Sequence, residues 1–293
     1  MSMPFLTVFT PTYNRAYTLG RTFESLCAQK NKDFIWLVVD DGSSDNTASL
    51  VKQWQLEDNG FEIRYIFKEN GGMHTGHNTA YAAIDTELNV CIDSDDALAP
   101  DAVQIIAEAW SMVRDKGYAG LLGLDADFSG HVIGKGFEPG MSETTMDGYY
   151  RNGGAGDKKL VLRTDVVREF PPYPTFEGEK FVPLGSLYTM IDQKYHLAVV
   201  DKVLCLVEYM PDGSTRNMLR QYYRNPRGFR YSRLVSLNTP QSFKRRLALH
   251  VHFVAESILS HEPILNDSPQ KPLSLLAAPL GSVLALYIKI RYK

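Results

Sequence analysis

The sequence predicts an α/β protein with a doubly wound, mostly parallel, Rossmann-like central sheet and a helical appendage at its C-terminus. Two observations favour this fold. Apolar runs of strand length alternate with segments of helical periodicity, which is the pattern of parallel strands joined by crossover helices. The last part of the chain instead has helical spacing and a reversed net charge. An apolar content of 44% in 293 residues allows a sizeable core.

The strands are predicted from runs that are apolar throughout or at alternate positions. Phe34–Val39 is apolar at every position, as expected for a strand buried on both faces of a parallel sheet. Between the runs, Thr18 is placed as the N-cap of a first helix, and Asp101–Lys116 has helical spacing. The predicted strands are Phe5–Thr10, Phe34–Val39, Phe61–Phe67, Leu88–Ile92, Gly120–Leu124, Lys159–Arg163, His196–Val200 and Val203–Tyr209.

Three carboxylates, in Asp93-Ser94-Asp95-Asp96, directly follow a predicted buried strand. Open α/β sheets bind their ligands at the carboxyl ends of strands. Carboxylates this close repel one another unless a cation or hydrogen-bond donors lie among them, and a hard divalent ion that bridges a diphosphate would supply that charge. The alternative is a cluster that only caps the next helix, which explains Asp101 better than Asp93 or Asp95.

Two common nucleotide-binding loops do not occur in the sequence. A dinucleotide fold requires G-x-G-x-x-G after its first strand, where Pro11–Arg15 contains no glycine. The P-loop pattern G-x-x-x-x-G-K-[ST] is found nowhere in the chain. Tyr13, Asp41 and the acidic cluster should share the carboxyl edge of the sheet, which favours an acidic, metal-dependent nucleotide site.

Four segments together resemble the signatures of family-2 nucleotide-sugar glycosyltransferases with the GT-A fold, in the same order and with matching spacing. They are Thr7–Arg15, Val38–Thr47, Asn70–Asn78 and Ile92–Asp96. Any one of them is weak evidence, whereas the four together are specific. The resemblance implies an inverting transfer of a sugar from a nucleoside diphosphate to a hydroxyl group.

The resemblance also implies roles for individual residues. Asp41 would accept a hydrogen bond from the uracil ring, and Asp93 would lie near the ribose or the waters of the metal. Asp95 would be the ligand of a divalent metal, Mn²⁺ or Mg²⁺, in a D-x-D motif, while the role of Asp96 stays open. The other residues expected to contact the nucleotide are Pro11, Thr12, Tyr13, Asn78 and Ser94.

The segment before Asn78 departs from the family pattern. Many members have Arg before this Asn, where the present chain has His77, so a contact of this segment with diphosphate or ribose stays open. His74 and His77 lie one helical turn apart. We expect them to cap or pack rather than to bind a second metal ion.

A general base is needed to take the proton of the attacking acceptor hydroxyl. In the family an acidic residue opens a helix on the acceptor side, and this position favours Glu179, with Glu177 as the rival. Burial or nearby acidic groups would raise the pKa of such a carboxylate towards that of a base. The alternative for both residues is simple stabilisation of a helix N-terminus. Arg216, in a turn-rich loop, is expected either to pair with the diphosphate or to be solvated.

The charge distribution divides the chain. Residues 1–215 carry a net charge of −13 and residues 216–293 a net charge of +10, within a whole-chain charge of −3. We therefore expect a catalytic domain over 1–215, with a nucleotide half (1–100) and an acceptor half (101–215), and a basic helical extension over 216–293. The three cysteines and the lack of a basic, apolar start indicate packed, reduced thiols in a cytoplasmic protein.

The extension is expected to hold the protein at the inner face of a membrane or at a lipid-diphosphate acceptor. Arginines three and four residues apart over Arg216–Arg233 could form a basic helical stripe, although Pro226 and Gly228 interrupt it. Leu273–Ile288 is apolar but too short to span a bilayer and is broken by Pro279 and Gly281. The alternative is an appendage that packs on the catalytic domain or forms an oligomer.

The sequence thus predicts a metal-dependent glycosyltransferase that uses a UDP-sugar and a glycan or polyprenyl-diphosphate-linked acceptor in surface polysaccharide assembly. No nucleic-acid partner is expected. The runner-up enzyme is a sugar-nucleotide pyrophosphorylase, but that class needs a Gly-rich loop with Arg and Lys after the first strand. The non-enzymatic alternative is a nucleotide-sugar-binding scaffold without chemistry.

Overall fold

The structure is a computed structural model that describes residues 4–208 and 218–292. Its chain forms two compact units. The first comprises Met1–Pro171 and Lys194–Met210, and the second comprises Pro172–Gln193 and Pro211–Lys293. Residues 172–193, which the sequence assigns to the catalytic domain, therefore group with the C-terminal helices.

The first unit contains a sheet that has nine strands within the described residues. The strands are β1 (Leu6–Thr12), β2 (Phe34–Asp40), β3 (Glu62–Phe67), β4 (Leu88–Cys91), β5 (Ala97–Leu98), β6 (Gly120–Ala126), β7 (Glu143–Thr144), β8 (Lys158–Arg163) and β9 (Leu197–Leu206). Its helices are α1 (Ala16–Cys27), α2 (Thr47–Trp54), α3 (Met73–Ala83), α4 (Ala102–Val113), α5 (Met146–Arg151) and α6 (Thr164–Arg168).

The strand order is β3-β2-β1-β4-β8-β6-β9-β5, with β7 beside β9. The strands β3, β2, β1 and β4 are parallel, while β8 runs antiparallel to both β4 and β6. Because β2 and β3 lie on one side of β1 and β4 on the other, the winding of the chain reverses between β1 and β4. The predicted fold class, a doubly wound and mostly parallel sheet with C-terminal helices, is confirmed.

An aromatic cluster packs α1 and α2 onto this sheet. The rings of Phe23 and Trp54 stack with centroids 4.3 Å apart, and Phe23 lies 5.9 Å from Trp36. The indole N–H of Trp36 donates to Thr10 Oγ1 at 3.0 Å, so the buried polar atom has a partner. This packing fixes β1 and β2 side by side, and with them the loops at their carboxyl ends.

Several details differ from the sequence-based expectation. Helix α1 begins at Ala16 with Arg15 as its N-cap, so the predicted N-cap Thr18 is wrong. Strand β1 continues through Pro11 to Thr12, where it pairs with β2 alone. Its pairing with β4 ends at Phe9, so the N–H that Pro11 lacks is not needed on that side. The two strands predicted over 196–209 form one strand, β9. The cysteines are free, but Cys27 is exposed, whereas the sequence predicted packed thiols.

The second unit is helical within the described residues: α7 (Gly185–Ile191), α8 (Met218–Arg224), α9 (Pro226–Leu237), α10 (Phe243–Ser260) and α11 (Lys271–Tyr292). The predicted basic stripe is only partly a solvated face, since Arg220 and Arg224 are exposed but three other arginines are paired. Arg227, Arg230 and Arg233 form ion pairs inside the unit, with Glu262, Asp267 and Glu256 respectively. These arginines meet carboxylates of α10 and of the loop after it, which sequence spacing does not reveal.

Helix α11 runs unbroken through Pro279 and Gly281, so the predicted break is wrong. Pro279 is tolerated inside the helix, where it costs one backbone hydrogen bond. Of the described helices, this one alone is long and apolar enough to cross a bilayer, judged by length and composition, and 28% of its most apolar window is buried within the protein.

The contact between β6 and β8 gives a test of the fold. Gly120 has a φ of 148°, and a Cβ added there would lie 1.9 Å from the carbonyl oxygen of Val161. We expect Gly120→Ala to lower the free energy of unfolding by about 3 kcal/mol or more. Gly136→Ala is the control, because its Cβ would meet no atom within 4 Å. Urea unfolding measures both, and equal midpoints would contradict the sheet register.

Candidate functional site

The carboxyl ends of β2, β1 and β4 lie side by side in the first unit. Thr12 at the end of β1 pairs with Asp40 of β2, and Phe9 of β1 pairs with Cys91 of β4. Ligands of open α/β sheets bind where the strand order reverses, outside the carboxyl ends of the strands. The reversal between β1 and β4 therefore brings the Pro11–Tyr13 segment and the acidic cluster to neighbouring strand ends.

The acidic cluster forms a tight turn that helix α1 supports. The N–H of Asp96 donates to the carbonyl oxygen of Asp93 at 3.0 Å. Thr22 Oγ1 donates to the carbonyl oxygen of Asp96 at 2.8 Å, and Arg21 Nη1 donates to that of Asp95 at 3.1 Å. These bonds hold the backbone of the turn, so the directions of its carboxylates are fixed by α1.

The three carboxylates differ in exposure. Asp93 is exposed, Asp95 is half-buried, and Asp96 is buried along with Ser94. Asp96 Oδ1 accepts from the N–H of Glu208 at 3.3 Å. Burial raises the pKa of Asp96 well above that of an ordinary Asp, with Asp93 and Asp95 acting in the same direction. Asp96 thus connects the acidic turn to Glu208, which follows β9.

Asp41 holds the loop after β3. Its Oδ1 accepts from Lys68 Nζ at 2.5 Å and from the N–H of Gly71 at 2.9 Å, and its Oδ2 accepts from the N–H of Gly72 at 2.7 Å. The side-chain amide of Asn70 donates to the carbonyl oxygen of Asp41 at 2.8 Å and to Oδ2 at 3.2 Å. A carboxylate offers about four acceptor positions, so protein donors occupy these positions of Asp41.

The loops after β1 and β2 are joined by side-chain bonds. Asn14, which has a φ of 52°, receives a hydrogen bond at its Oδ1 from the N–H of Ser44 at 2.8 Å and donates its own N–H to Ser43 Oγ at 2.8 Å. Thr12 is buried and its Oγ1 has no hydrogen-bond partner in the described structure, while Tyr13 is about half exposed. The segment therefore combines a rigid backbone with an accessible aromatic ring.

The histidines of α3 pack in the core, as predicted. His77 is buried against Phe9, with ring centroids 5.0 Å apart, and its Nδ1 lies 3.3 Å from the hydroxyl of Tyr81. Burial lowers the pKa of His77 to about 3, so this ring is neutral at physiological pH. His74 is buried too. Asn78, on the same helix, is half-buried.

Lys159 is a residue of this site that the sequence analysis missed. It lies in β8, which runs antiparallel beside β4, and its side chain is 13% exposed. Its Nζ lies 3.9 Å from Asp125 Oδ1 and donates to the carbonyl oxygen of Cys91 at 3.4 Å. Burial lowers the pKa of Lys159, but Asp125, Asp96 and Asp93 raise it, so the side chain stays charged. A lysine within an apolar strand is the sequence feature that could have identified Lys159. Its carboxylate partners, however, depend on which strands pair, and the sequence pattern does not reveal this.

The two candidate bases lie in the second unit. Glu179 Oε1 accepts from the N–H of Arg227 at 3.0 Å and Oε2 from that of Gly228 at 2.9 Å, both in the first turn of α9. Burial raises the pKa of Glu179, although these two N–H groups act to lower it. Glu177 is exposed. Arg216 lies outside the described residues.

The acidic turn fits a divalent cation by its donor chemistry. Within residues 4–208 and 218–292, no group of three or more His, Cys, Asp or Glu side chains converges on a common point. Mg²⁺ in nucleotide sites is usually held by one or two carboxylates together with phosphates and water. Asp95 and the exposed Asp93 offer such hard oxygen donors at the reversal of strand order. These two carboxylates are therefore of the residue type that such nucleotide-bound metal sites use.

Comparisons of the sequence point to one family. A profile of Glycosyl transferase family 2 matches residues 7–120. The GalNAc(5)-diNAcBac-PP-undecaprenol beta-1,3-glucosyltransferase of Campylobacter jejuni is 31% identical over 227 residues, 75% of this chain and 71% of that protein. An uncharacterized glycosyltransferase of Nostoc sp. is 34% identical over 105 residues, and the match spans 36% of this chain but only 32% of that relative.

Solved structures share the fold. TarS 1–349 of S. aureus in complex with UDP-GlcNAc has a TM-score of 0.61 at 18% identity, over 96% of this chain and 81% of that one. The mannosyltransferase PcManGT from Pyrobaculum calidifontis in complex with GDP-Man and Mn²⁺ has a TM-score of 0.58 at 18% identity, over 100% and 84% of the two chains. Similarity at this level of identity concerns the architecture, a mostly parallel sheet with flanking helices.

The buried lysine gives a test of how the site is held together. Lys159→Met should lower the free energy of unfolding by about 3 kcal/mol, because it leaves Asp125 buried beside the acidic turn without its cation. The double variant Lys159→Met/Asp125→Asn should recover part of this loss, since Asp125 then carries no unpaired charge. Urea unfolding of the two variants decides, and a double variant less stable than the single one would refute the pairing.

Proposed function

We propose, given that the chain belongs to glycosyl transferase family 2, that it transfers a sugar from a UDP-sugar to a hydroxyl group of a glycan or lipid-linked glycan. The transfer would invert the configuration at the anomeric carbon and depend on Mn²⁺ or Mg²⁺. The observation that carries this proposal is the acidic turn Asp93–Asp96 at the reversal between β1 and β4, opposite the Pro11–Tyr13 segment.

The nucleoside would lie against the loops after β1 and β2. Pro11, Thr12 and the accessible ring of Tyr13 would contact the base and ribose, with Asn78 and Ser94 as further contacts. Asp41 would accept from the uracil ring. The carboxylate of Asp41 already accepts from Lys68, Gly71 and Gly72. Uracil would therefore have to displace one of these donors, or bind to the loop after β3 that Asp41 organises.

The metal would be held by Asp95, with Asp93 near its waters or the ribose. A bound divalent ion supplies positive charge that neutralises the diphosphate leaving group. The chain's own contribution is to hold these carboxylates in a fixed turn through Arg21 and Thr22, and to place Lys159 behind them. Arg216 would add a second positive charge to the diphosphate.

Glu179 would act as the general base that removes the proton of the acceptor hydroxyl. Its two hydrogen bonds from the first turn of α9 fix the direction of the carboxylate, and each oxygen keeps a second lone pair. Burial raises its pKa, which suits a base. The same bonds serve equally well as a helix cap, so a test has to separate the two roles.

The acceptor would be a glycan on a polyprenyl diphosphate carrier, as the name of the Campylobacter relative says of that protein. A carrier lipid resides in the membrane, so the protein would work at the cytoplasmic membrane surface in polysaccharide assembly. Screening UDP-sugars for slow hydrolysis with and without Mn²⁺ tests the donor class directly. A pyrophosphorylase would instead form a sugar nucleotide from a nucleoside triphosphate, and a scaffold would bind the donor without hydrolysing it.

Replacing the metal ligand gives the first test of this site. We expect Asp95→Asn to abolish the part of UDP affinity that depends on Mn²⁺, because the amide no longer offers an anionic oxygen to the ion. Calorimetric titration of UDP with and without Mn²⁺ measures this. Asp96→Asn is the matched control, since the buried Asp96 bonds to Glu208 and should leave the Mn²⁺ dependence in place.

The second test separates a base from a cap. Glu179→Gln should leave UDP affinity near normal and reduce transfer on the order of a hundredfold or more. A residue that only caps α9 would instead lower the thermal midpoint and leave kcat nearly unchanged. Glu177→Gln is the matched control at an exposed carboxylate. If Glu177→Gln is the damaging change and Glu179→Gln is mild, the assignment of Glu179 is wrong and Glu177 is the base.

A further inference from the structure

Helix α11 buries mostly small side chains and exposes most of its large apolar ones. In a globular protein, a surface helix instead turns its large apolar side chains towards the core. Its buried residues are Ser274, Ala277, Gly281, Ala285 and Ile288. The exposed residues, which we call the apolar face, are Leu275, Leu276, Leu280, Val283, Leu286, Tyr287 and Ile290. A contiguous exposed patch of this kind marks an interaction site.

The buried side of α11 packs mainly against α10 and also contacts α8. Ser274 Oγ lies 2.9 Å from His250 Nδ1, and a Cβ on Gly281 would lie 2.6 Å from Val254. Ala277, Gly281 and Ala285 are spaced four residues apart, which lets two helix backbones approach closely. Such small-residue contacts are typical of helices beside lipid, where large side chains face outward.

The apolar face is wide and uncharged. At 3.6 residues per turn, its seven residues span roughly 140° of the helix circumference, and no charged residue of α11 falls within that arc. A two-stranded coiled coil needs only a narrow seam of two positions per heptad, flanked by charges. The width of the face therefore favours a lipid surface over a second copy of the chain.

Basic residues border the apolar face. Lys271 stands at one end of α11, and Lys289 and Arg291 stand at the other, all of them exposed. Lys271 shares a groove with Arg246 and Phe243 at the start of α10, next to Lys244. The acidic groups of α10 and of the loop that joins it to α11, Glu256, Glu262 and Asp267, are instead paired with arginines of α9. The rim is thus complementary to anionic lipid headgroups.

We propose that α11 lies in the plane of an anionic membrane, with its apolar face in the interface and its basic rim among the headgroups. Spanning is disfavoured by the neighbours of α11. It packs along α10, which in turn packs on α9 through the buried ion pair of Arg233 with Glu256, so insertion of α11 would draw these charges towards hydrocarbon. In the plane, only the apolar face needs to leave water.

Vesicle co-sedimentation of the full-length protein tests this. Wild type should bind vesicles of phosphatidylglycerol and phosphatidylcholine at low salt, and less at high salt. Leu280→Glu should weaken binding about tenfold or more, because it removes a Leu that the membrane would bury and adds a charge to the apolar face. The matched control is Leu56→Glu in the first unit, where Leu56 is 84% exposed, and its binding should equal that of wild type.

Three outcomes would overturn the proposal: no binding of wild type to anionic vesicles at low salt, equal binding of Leu280→Glu and wild type, or retention on the vesicles after extraction at high pH, which indicates a spanning helix. A dimer that Leu280→Glu converts to a monomer, without vesicle binding, would assign the face to a second copy. UDP-sugar hydrolysis in solution should be the same in Leu280→Glu and wild type, so a failure here is separate from a failure of the transfer proposal.

Discussion

The candidate site in the first unit depends on a turn that holds three carboxylates together at the end of β4. Like charges at this distance repel, so the turn Asp93–Asp96 exists only because surrounding groups oppose that repulsion. Helix α1 binds its backbone through Arg21 and Thr22, Asp96 is withdrawn into the protein, and the buried cation of Lys159 lies behind it. Of the remaining two carboxylates, Asp93 is exposed and Asp95 is half-buried, which suits the proposed ligand with its own phosphates and metal.

The same logic explains the loop that Asp41 organises. Its carboxylate gathers Lys68 and the backbone N–H groups of Gly71 and Gly72, which brings the carboxyl end of β3 next to that of β2. Hydrogen bonds to a charged acceptor are worth more than neutral ones, so this contact makes the loop rigid. Rigidity here matters because a site on loops discriminates only if a scaffold holds the loops in place.

The fold and the strand ends that carry the candidate site could be predicted from the sequence, whereas the partners of individual side chains could not. Apolar runs and the acidic cluster identified β2, β4 and the strand ends that converge, because these depend on local pattern. Lys159 was missed because β8 pairs antiparallel with β4, a long-range fact that periodicity does not contain. The arginines of α9 looked like a surface stripe for the same reason: their carboxylate partners lie on α10 and the loop after it.

Two segments depart from the pattern of the rest of the chain, and each is the basis of one of the binding proposals made above. Carboxylates crowd one turn in the first unit, and large apolar side chains face water along α11 in the second. Natural sequences are locally consistent with their fold, and exceptions concentrate at functional positions. Under the proposals made above, a complementary ligand would offset the cost of each exception: cationic charge with a diphosphate for the acidic turn, and a lipid interface for the apolar face. A protein that acts on a lipid-linked acceptor would need both, since the donor is dissolved in water and the acceptor is confined to a membrane.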